Sequence, residues 1–124
     1  MTPKVAISSE FFSSVLKLPK TQQEKAVKFM ELFRQDPKSP GINYETIQTA
    51  RDKNLRSVRI DQAYRAIVLA PERGDVYILL WADKHDDAYD WACNKVLKIN
   101  PENGVLQVLE SQYIDEANQI QQAL

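Results

Sequence analysis

The first hydrophobic positions of the chain predict a strand followed by a helix. Residues 5–7, Val-Ala-Ile, form a short β-prone run. Ser8 and Ser9 follow at once, and serine is a preferred helix N-cap because its hydroxyl accepts a hydrogen bond from a backbone N–H of the first turn. We therefore expect a helix to begin there and to end before Pro19. Its apolar face would consist of Phe11 or Phe12, Val15 and Leu16.

A stronger signal predicts the second helix. Thr21 followed three residues later by Glu24 matches a capping box, in which each side chain satisfies a backbone N–H near the other. Two helices joined by a short Leu-Pro-Lys link form a helical hairpin, whose apolar faces need a sheet to cover. In the second helix, apolar residues recur at helical spacing at Ala26, Phe29, Met30 and Phe33.

The middle of the chain predicts a loop and then a sheet. Residues 38–54 contain Ser-Pro-Gly and many polar side chains, as is typical of a loop. Three strand-like runs follow at residues 55–60, 64–69 and 76–82. Because the segments between these runs are short and rich in turn-forming residues, the strands should form an antiparallel meander. The predicted fold class is α+β.

The end of the chain predicts a further helix and an added hairpin. Asp86 and Asp87 would begin a helix that ends at Asn94, since acids favour the first turn of a helix. Residues 96–100 and 105–110 flank the turn sequence Pro-Glu-Asn-Gly and predict a hairpin. A weak amphipathic helix would follow, with Ile114, Ala117, Ile120 and Leu124 on its apolar side.

Charge supports a division of the chain after residue 95. Residues 1–95 carry 15 Lys/Arg and 13 Asp/Glu, whereas residues 96–124 carry one Lys and four acids. We expect the first range to be one domain and the second to be an extension that could link to further sequence. The net charge of −1 argues against a protein that binds nucleic acid through overall basicity. A local cationic patch remains, formed by Arg51, Lys53, Arg56, Arg59 and Arg65.

Hydropathy and cysteine content indicate a cytoplasmic protein. No apolar run approaches the roughly 20 residues needed to span a bilayer, and no signal peptide is recognisable. Cys93 has no second cysteine with which to form a disulfide, as is common in a reducing compartment. We therefore expect no membrane association.

The residues from 54 to 92 resemble the RelE/ParE toxin superfamily. Tyr64-Arg65 looks like the Tyr-Arg element of the family, and residues 84–89, Lys-His-Asp-Asp-Ala-Tyr, look like its closing segment. The resemblance covers about three-quarters of the chain. It implies an α+β fold of strand, two helices, three-stranded antiparallel meander and helix, here with an added C-terminal hairpin and helix.

A narrower likeness is to the RelE-like domain at the N-terminus of some bacterial UvrD/Rep-type DNA helicases. It rests on residues 39–45, 54–60 and 81–89. The 124 residues contain no Gly-x-x-x-x-Gly-Lys-Ser/Thr loop for ATP phosphates, so a covalently linked helicase motor would lie in other sequence.

The family resemblance implies a particular chemistry. RelE-type members cut mRNA on the ribosome without a metal or other cofactor, whereas ParE-type members inhibit DNA gyrase. RNA cleavage of this kind needs a base, an acid, and cations that stabilise the phosphorane. Arg65 is the best candidate cation, with Arg59 beside it, His85 is a candidate acid or base, and Tyr89 could position a phosphate or base. Candidate nucleic-acid contacts are Arg51, Lys53, Arg56 and Lys84.

Each of these residues also has a purely structural interpretation. Arg65 could be a strand-edge cation paired with Asp61, His85 could support a helix start, and Tyr89 could be a core aromatic. A metal site would need Asp83, His85, Asp86 and Asp87, but helix capping explains the acids adequately. Trp81 and Trp91 could stack on bases, although such spacing is more typical of a core, and Cys93 is expected to be a buried small residue.

Two main functional hypotheses follow. The first is a RelE-like toxin domain that cleaves RNA and is paired with an antitoxin. The second is a non-catalytic accessory module that binds nucleic acid or protein next to a helicase motor, and the near-neutral charge and the Asp86-Asp87 pair favour it. A ParE-like gyrase inhibitor is a weaker third hypothesis.

Overall fold

The computed structural model describes residues 4–39, 44–70, 76–99 and 106–110, and it divides them into ten elements. In chain order these are β1 (Lys4–Ile7), α1 (Ser9–Leu16), α2 (Lys20–Gln35), β2 (Glu45–Thr46), β3 (Leu55–Arg59), β4 (Tyr64–Leu69), β5 (Val76–Lys84), α3 (His85–Cys93), β6 (Lys95–Ile99) and β7 (Leu106–Glu110).

The main sheet has five strands in the order β1-β5-β4-β3-β2. Strands β3, β4 and β5 form the predicted antiparallel meander, and β1 pairs with β5 in parallel. The α+β fold and the order strand, two helices, meander, helix are therefore confirmed. The two-residue strand β2 was not predicted, because it lies in a polar segment and exists only through its pairing with Arg56 and Ser57 of β3.

Helices α1 and α2 form a helical pair that covers one face of this sheet. Ser8 is the N-cap of α1, as predicted, and its hydroxyl accepts a hydrogen bond from the backbone N–H of Phe11. Phe11, Phe29 and Phe33 are buried against Val58 and other residues of the sheet. The predicted inward position of Leu16 is wrong, for its side chain is 73% exposed. The buried face of the short helix α1 passes through Phe11 and Ser14, which turns Leu16 outward.

The predicted capping box of the second helix is also wrong. Helix α2 begins one residue before Thr21, and its N-cap is Pro19 with no side-chain cap hydrogen bond. The fixed φ of proline already suits the entry to a helix. The carbonyl of Pro19 accepts the backbone N–H groups of Gln22 and Gln23, both at 2.9 Å.

Helix α3 packs against the opposite face of the sheet. Ala88 and Ala92 are fully buried against Leu55, Ile67 and Leu80. Small side chains at these two positions let the helix approach the strands closely, so the end of β5 and the start of α3 are held at one place.

The predicted C-terminal hairpin is present as β6 paired antiparallel with β7. Leu97 packs against the α3 side of the core, and its backbone N–H donates to the Asp52 carboxylate at 3.2 Å. The proposed division at residue 95 stays a prediction, and β6 begins at that residue. The C-terminal helix predicted from Ile114 onward lies outside the described residues.

Candidate active site

Three charged residues form a row across the meander. Arg59 on β3 lies directly opposite Arg65 on β4, and Arg65 lies opposite Asp83 on β5. Directly opposed residues of antiparallel strands have Cβ atoms about 4.5–5.5 Å apart. The pairing therefore places both predicted arginines and one carboxylate next to each other.

Alternation along the strands decides which face carries this row. Val58, Ala66 and Ala82 belong to the core under the helical pair. Their chain neighbours Arg59, Arg65 and Asp83 must point to the other face, because successive side chains of a strand alternate. That face is the one on which α3 packs. All three side chains are half-buried, so they remain accessible to a ligand.

A tight turn after β3 holds the two arginines. The backbone carbonyl of Asp61 accepts from Arg65 Nη1 at 2.6 Å and from Arg59 Nε at 3.3 Å. Arg65 Nη1 also donates to the carbonyls of Tyr64 at 3.0 Å and Gln62 at 3.4 Å. Within the part of the chain that the structure describes, these bonds of Arg65 use Nη1 alone.

The Asp61 carboxylate is directed away from the arginines. It accepts from the backbone N–H groups of Ala63 and Tyr64 and from Lys25 Nζ on α2, the last at 3.1 Å. Burial alone would raise the pKa of Asp61, but these bonds, together with one from Gln22, outweigh burial and hold the pKa below its usual value. The carboxylate is thus ionised at neutral pH and belongs to the turn.

His85 begins α3 beside the same turn. Its backbone N–H donates to the carbonyl of Ala63 at 2.9 Å. The imidazole stacks on the ring of Tyr89, one helical turn later, with centroids 4.3 Å apart and planes inclined by 21°. Nδ1 lies 2.9 Å from the carboxylate of Asp86, which is 96% exposed. When Nδ1 carries the proton and donates to Asp86, Nε2 is the basic atom of the neutral ring.

Asp83 is a site neighbour that the sequence suggested only as a metal ligand. Its carboxylate accepts from the indole N–H of Trp81 at 3.3 Å and from the backbone N–H of Lys84 at 2.9 Å. The alternation of side chains along β5 was the available signal for placing Asp83 in the site. It could not identify the partner of Arg65, because the pairing of β4 with β5 shifts register at Ile67/Val68. Counting residues back from the turn between these strands therefore gives the wrong partner.

The two tryptophans pack on each other. The rings of Trp81 and Trp91 are stacked, with centroids 5.2 Å apart and planes inclined by 6°. Lys95 Nζ lies 5.7 Å from the Trp91 centroid. Both rings border the α3 side of the core, so they support α3 and the position of Asp83.

The predicted nucleic-acid contacts do not form one surface. Arg51 lies at the C-terminal end of α3, where its backbone N–H donates to the Cys93 carbonyl. That end of the helix is about 13 Å, one helix length, from His85. Lys53 Nζ donates to the Gln48 carbonyl at 3.1 Å in the same loop. Lys84 is exposed and is the N-cap of α3, so it adjoins the row.

Arg56 points to the opposite face of the sheet from Arg59. Arg56 lies two residues before Val58 and therefore shares its face, on the side of the helical pair. Its Nη1 donates to the carbonyls of Lys53 and Leu55. Burial raises the pKa of the neighbouring Tyr44, although the Arg56 guanidinium bonded to that side chain opposes the rise. A role for Arg56 in nucleic-acid contact, like the roles of the other site residues, stays a prediction.

Neither a cluster of metal ligands nor a membrane-spanning helix is found among the described residues. Among residues 4–39, 44–70, 76–99 and 106–110, no three His, Cys, Asp or Glu side chains converge as metal ligands. In the same ranges, no helix combines the length and apolar character needed to cross a bilayer.

Comparison with known proteins identifies the fold. No protein-family model matches the chain, and no curated protein matches it by sequence. Solved toxin structures match it well in three dimensions. The RelE–RelB complex of Pyrococcus horikoshii matches with a TM-score of 0.53 and 20% identity, over 68% of this chain and 96% of that chain.

Two further structures agree. The RelBE2 toxin–antitoxin complex of Mycobacterium tuberculosis matches with a TM-score of 0.56 and 17% identity, over 68% of this chain and 94% of that chain. Escherichia coli YafQ matches with a TM-score of 0.55 and 13% identity, over 68% and 96%. The chain therefore has the fold of RelE-like toxins. The narrower likeness to a helicase N-terminal domain stays a prediction.

Proposed function

We propose that this chain is a RelE-like toxin domain that cleaves RNA without a metal ion. The observation that carries the proposal is the pair of Arg59 and Arg65 in the row that Asp83 completes on the α3 face of the sheet, beside the start of the helix that carries His85. Two guanidinium groups held side by side suit the extra negative charge of a phosphorane. The toxin fold shared with the compared structures supports the same assignment.

The proposed reaction breaks one P–O bond by attack of the neighbouring ribose 2′-oxygen. Neutral His85 takes the 2′-OH proton through Nε2, and the 2′-oxygen bonds to phosphorus. Arg65 and Arg59 stabilise the charge on the phosphorane oxygens. The 5′-oxygen then leaves with a proton from the imidazolium or from solvent, giving a 2′,3′-cyclic phosphate and a 5′-hydroxyl. Tyr89 acts by holding the His85 ring.

The proposed partners are RNA on the ribosome and an antitoxin. Two of the compared structures are toxin–antitoxin complexes, which supports an antitoxin partner for this chain. The near-neutral charge supports a substrate that is presented by a larger assembly, because a neutral surface gives little affinity for free RNA.

The experiment that tests this function measures cleavage of ribosome-bound mRNA and of free RNA by the purified chain. Arg65→Ala should reduce kcat by about a hundredfold, since it removes a cation that acts in the transition state. Arg65→Lys should recover part of the loss, because a lysine keeps the charge without the planar fork. Arg34→Ala is the matched control, because Arg34 is exposed on α2 and lies outside the row. Folded wild-type protein that leaves both substrates intact would rule out the ribonuclease.

The second candidate is a non-catalytic binding module next to a helicase motor. Asp86 and Asp87 are both exposed in the first turn of α3, where they offset the positive end of the helix dipole and repel phosphate. Binding of single-stranded nucleic acid without any cleavage product would favour this module. Inhibition of DNA supercoiling by gyrase, with RNA left intact, would instead favour a ParE-like role.

A further inference from the structure

Asp61 contacts both arginines of the row and also the helical pair. Its carbonyl accepts from Arg59 Nε and Arg65 Nη1, and its carboxylate Oδ2 accepts from Lys25 Nζ. Lys25 lies on α2, on the far side of the sheet from α3. A continuous path of polar contacts thus runs from the surface of α2 to the candidate active site.

The carboxylate also fixes the shape of the turn. Oδ1 accepts from the backbone N–H groups of Ala63 and Tyr64, both at 2.9 Å, which is the arrangement of an Asx-turn. The backbone N–H groups of Ile60 and Asp61 both donate to the Tyr64 carbonyl and close the turn. Because these bonds orient the peptide planes, they set the direction in which the Asp61 carbonyl points, and with it the position of both guanidinium groups.

We propose that Asp61 is a positioning residue for Arg59 and Arg65, and that its ion pair with Lys25 couples their placement to the helical pair. The effect of this coupling on catalysis rests on the proposed function, whereas the coupling itself does not. Loss of the ion pair would loosen the turn and displace both arginines together. Misplacement by about 1 Å can lower a rate by on the order of a hundredfold.

The test uses the full chain with Lys25→Met and Asp61→Asn. Asparagine keeps an oxygen that can accept from Ala63 and Tyr64 but removes the charge that attracts Lys25. Lys25→Arg should keep the ion pair with Asp61, because arginine is also a cation, and should therefore behave like the wild type. Lys28→Met is the matched control, because Lys28 is an exposed lysine on the same helix. Circular dichroism checks that each variant is folded.

Two measurements are made on each variant. NMR of the arginine Nε–Hε groups, without RNA, should show broader or shifted signals for both Arg59 and Arg65 in Lys25→Met and Asp61→Asn only. In cleavage assays the same two variants should lose about tenfold in kcat with little change in KM, because positioning acts in the transition state.

The outcomes separate the two proposals. Unchanged arginine signals in both variants would overturn the coupling, even if the wild type cuts RNA. Signals that move while kcat stays constant would show that the coupling has no catalytic consequence and would overturn the positioning role. If the arginine signals move in the two variants but the wild-type protein does not cut RNA, the coupling is supported and the ribonuclease is refuted.

Discussion

The arginines of the candidate site are held by backbone carbonyls. Arg65 donates to the carbonyls of Asp61, Gln62 and Tyr64, and Arg59 donates to that of Asp61. A carbonyl orients a guanidinium without cancelling its charge, whereas a carboxylate partner would neutralise it. The carboxylate of Asp61 is engaged instead by Lys25. The turn thus holds both guanidinium groups through its carbonyls, and the carboxylate that adjoins them in the row is that of Asp83, opposite Arg65.

The ionisation of Asp61 gives a prediction for stability. The folded-state pKa of Asp61 is lowered, so its contribution is fully present above the unfolded pKa of about 3.9 and is lost as pH falls through the folded pKa. The groups that face it are Lys25 and Gln22 from α2 and the arginines at its carbonyl.

Asp61→Asn should therefore destabilise the protein by about 0.5–1.5 kcal/mol at pH 7 and by progressively less below pH 4. Urea unfolding of the wild type and the variant at several pH values from about 2.5 to 7 measures the difference in unfolding free energy. Taking this difference removes the effect of the other carboxyl groups, which both proteins share. A difference in unfolding free energy that is constant with pH would contradict the assignment of the lowered pKa.

At the scale of elements, the contact between α1 and β5 depends on a buried serine. Strand β1 ends opposite Leu79, and among the described strands none pairs with the next part of β5 on that side. Ser14 Oγ accepts from the backbone N–H of Ala82 at 2.9 Å and donates to the Phe11 carbonyl at 2.7 Å. Ala82 precedes Asp83, so this bond holds the strand at the position where the site begins.

Ser14→Ala should lower the free energy of unfolding by about 1–3 kcal/mol, because it leaves the buried N–H of Ala82 without its acceptor. Ser13→Ala is the control, since Ser13 is exposed on the same helix and alanine favours a helix. Chemical denaturation of the three proteins gives the comparison. Equal stability of the Ser14→Ala variant and the wild type would show that water replaces the hydroxyl.

At the scale of the whole molecule, the near-neutral charge makes any RNA contact local. The net charge is −1, so the protein offers no general attraction for phosphate. Binding then depends on the few cations that the fold places together, and Arg51 and Lys53 lie at the other end of α3 from His85.

The salt dependence of RNA affinity should therefore be shallow. Each phosphate contact adds a slope of about −0.7 to a plot of log affinity against log salt for single strands. Arg65→Ala should reduce the slope by about that amount, whereas Arg34→Ala should leave it unchanged. Titration with a 2′-O-methyl RNA, which cannot be cleaved by 2′-oxygen attack, measures the slope. A steep slope that is insensitive to Arg65→Ala would place binding elsewhere on the protein.

The sequence determined the fold class and the described elements other than the two-residue strand β2. The alternation of β3, the apolar runs of β4 and β5 and the helical spacing of Ala26, Phe29 and Phe33 are local signals, since each reflects the faces that an element turns to a core. Short turns made the antiparallel order of the meander the natural one. The start of α2 was misjudged because Pro19 begins the helix without the side-chain cap that Thr21 suggested.

Only the tertiary structure decided which charged residues meet. The neighbourhood of Arg59, Arg65 and Asp83 depends on the register of three strands, and an irregularity in β5 changes that register without a mark in the sequence. The division of the basic residues between two faces and two ends of α3 likewise depends on strand alternation and on the path of a loop. Hydrophobic periodicity reports on each element alone, whereas a site is formed by distances between elements, and these are fixed by packing.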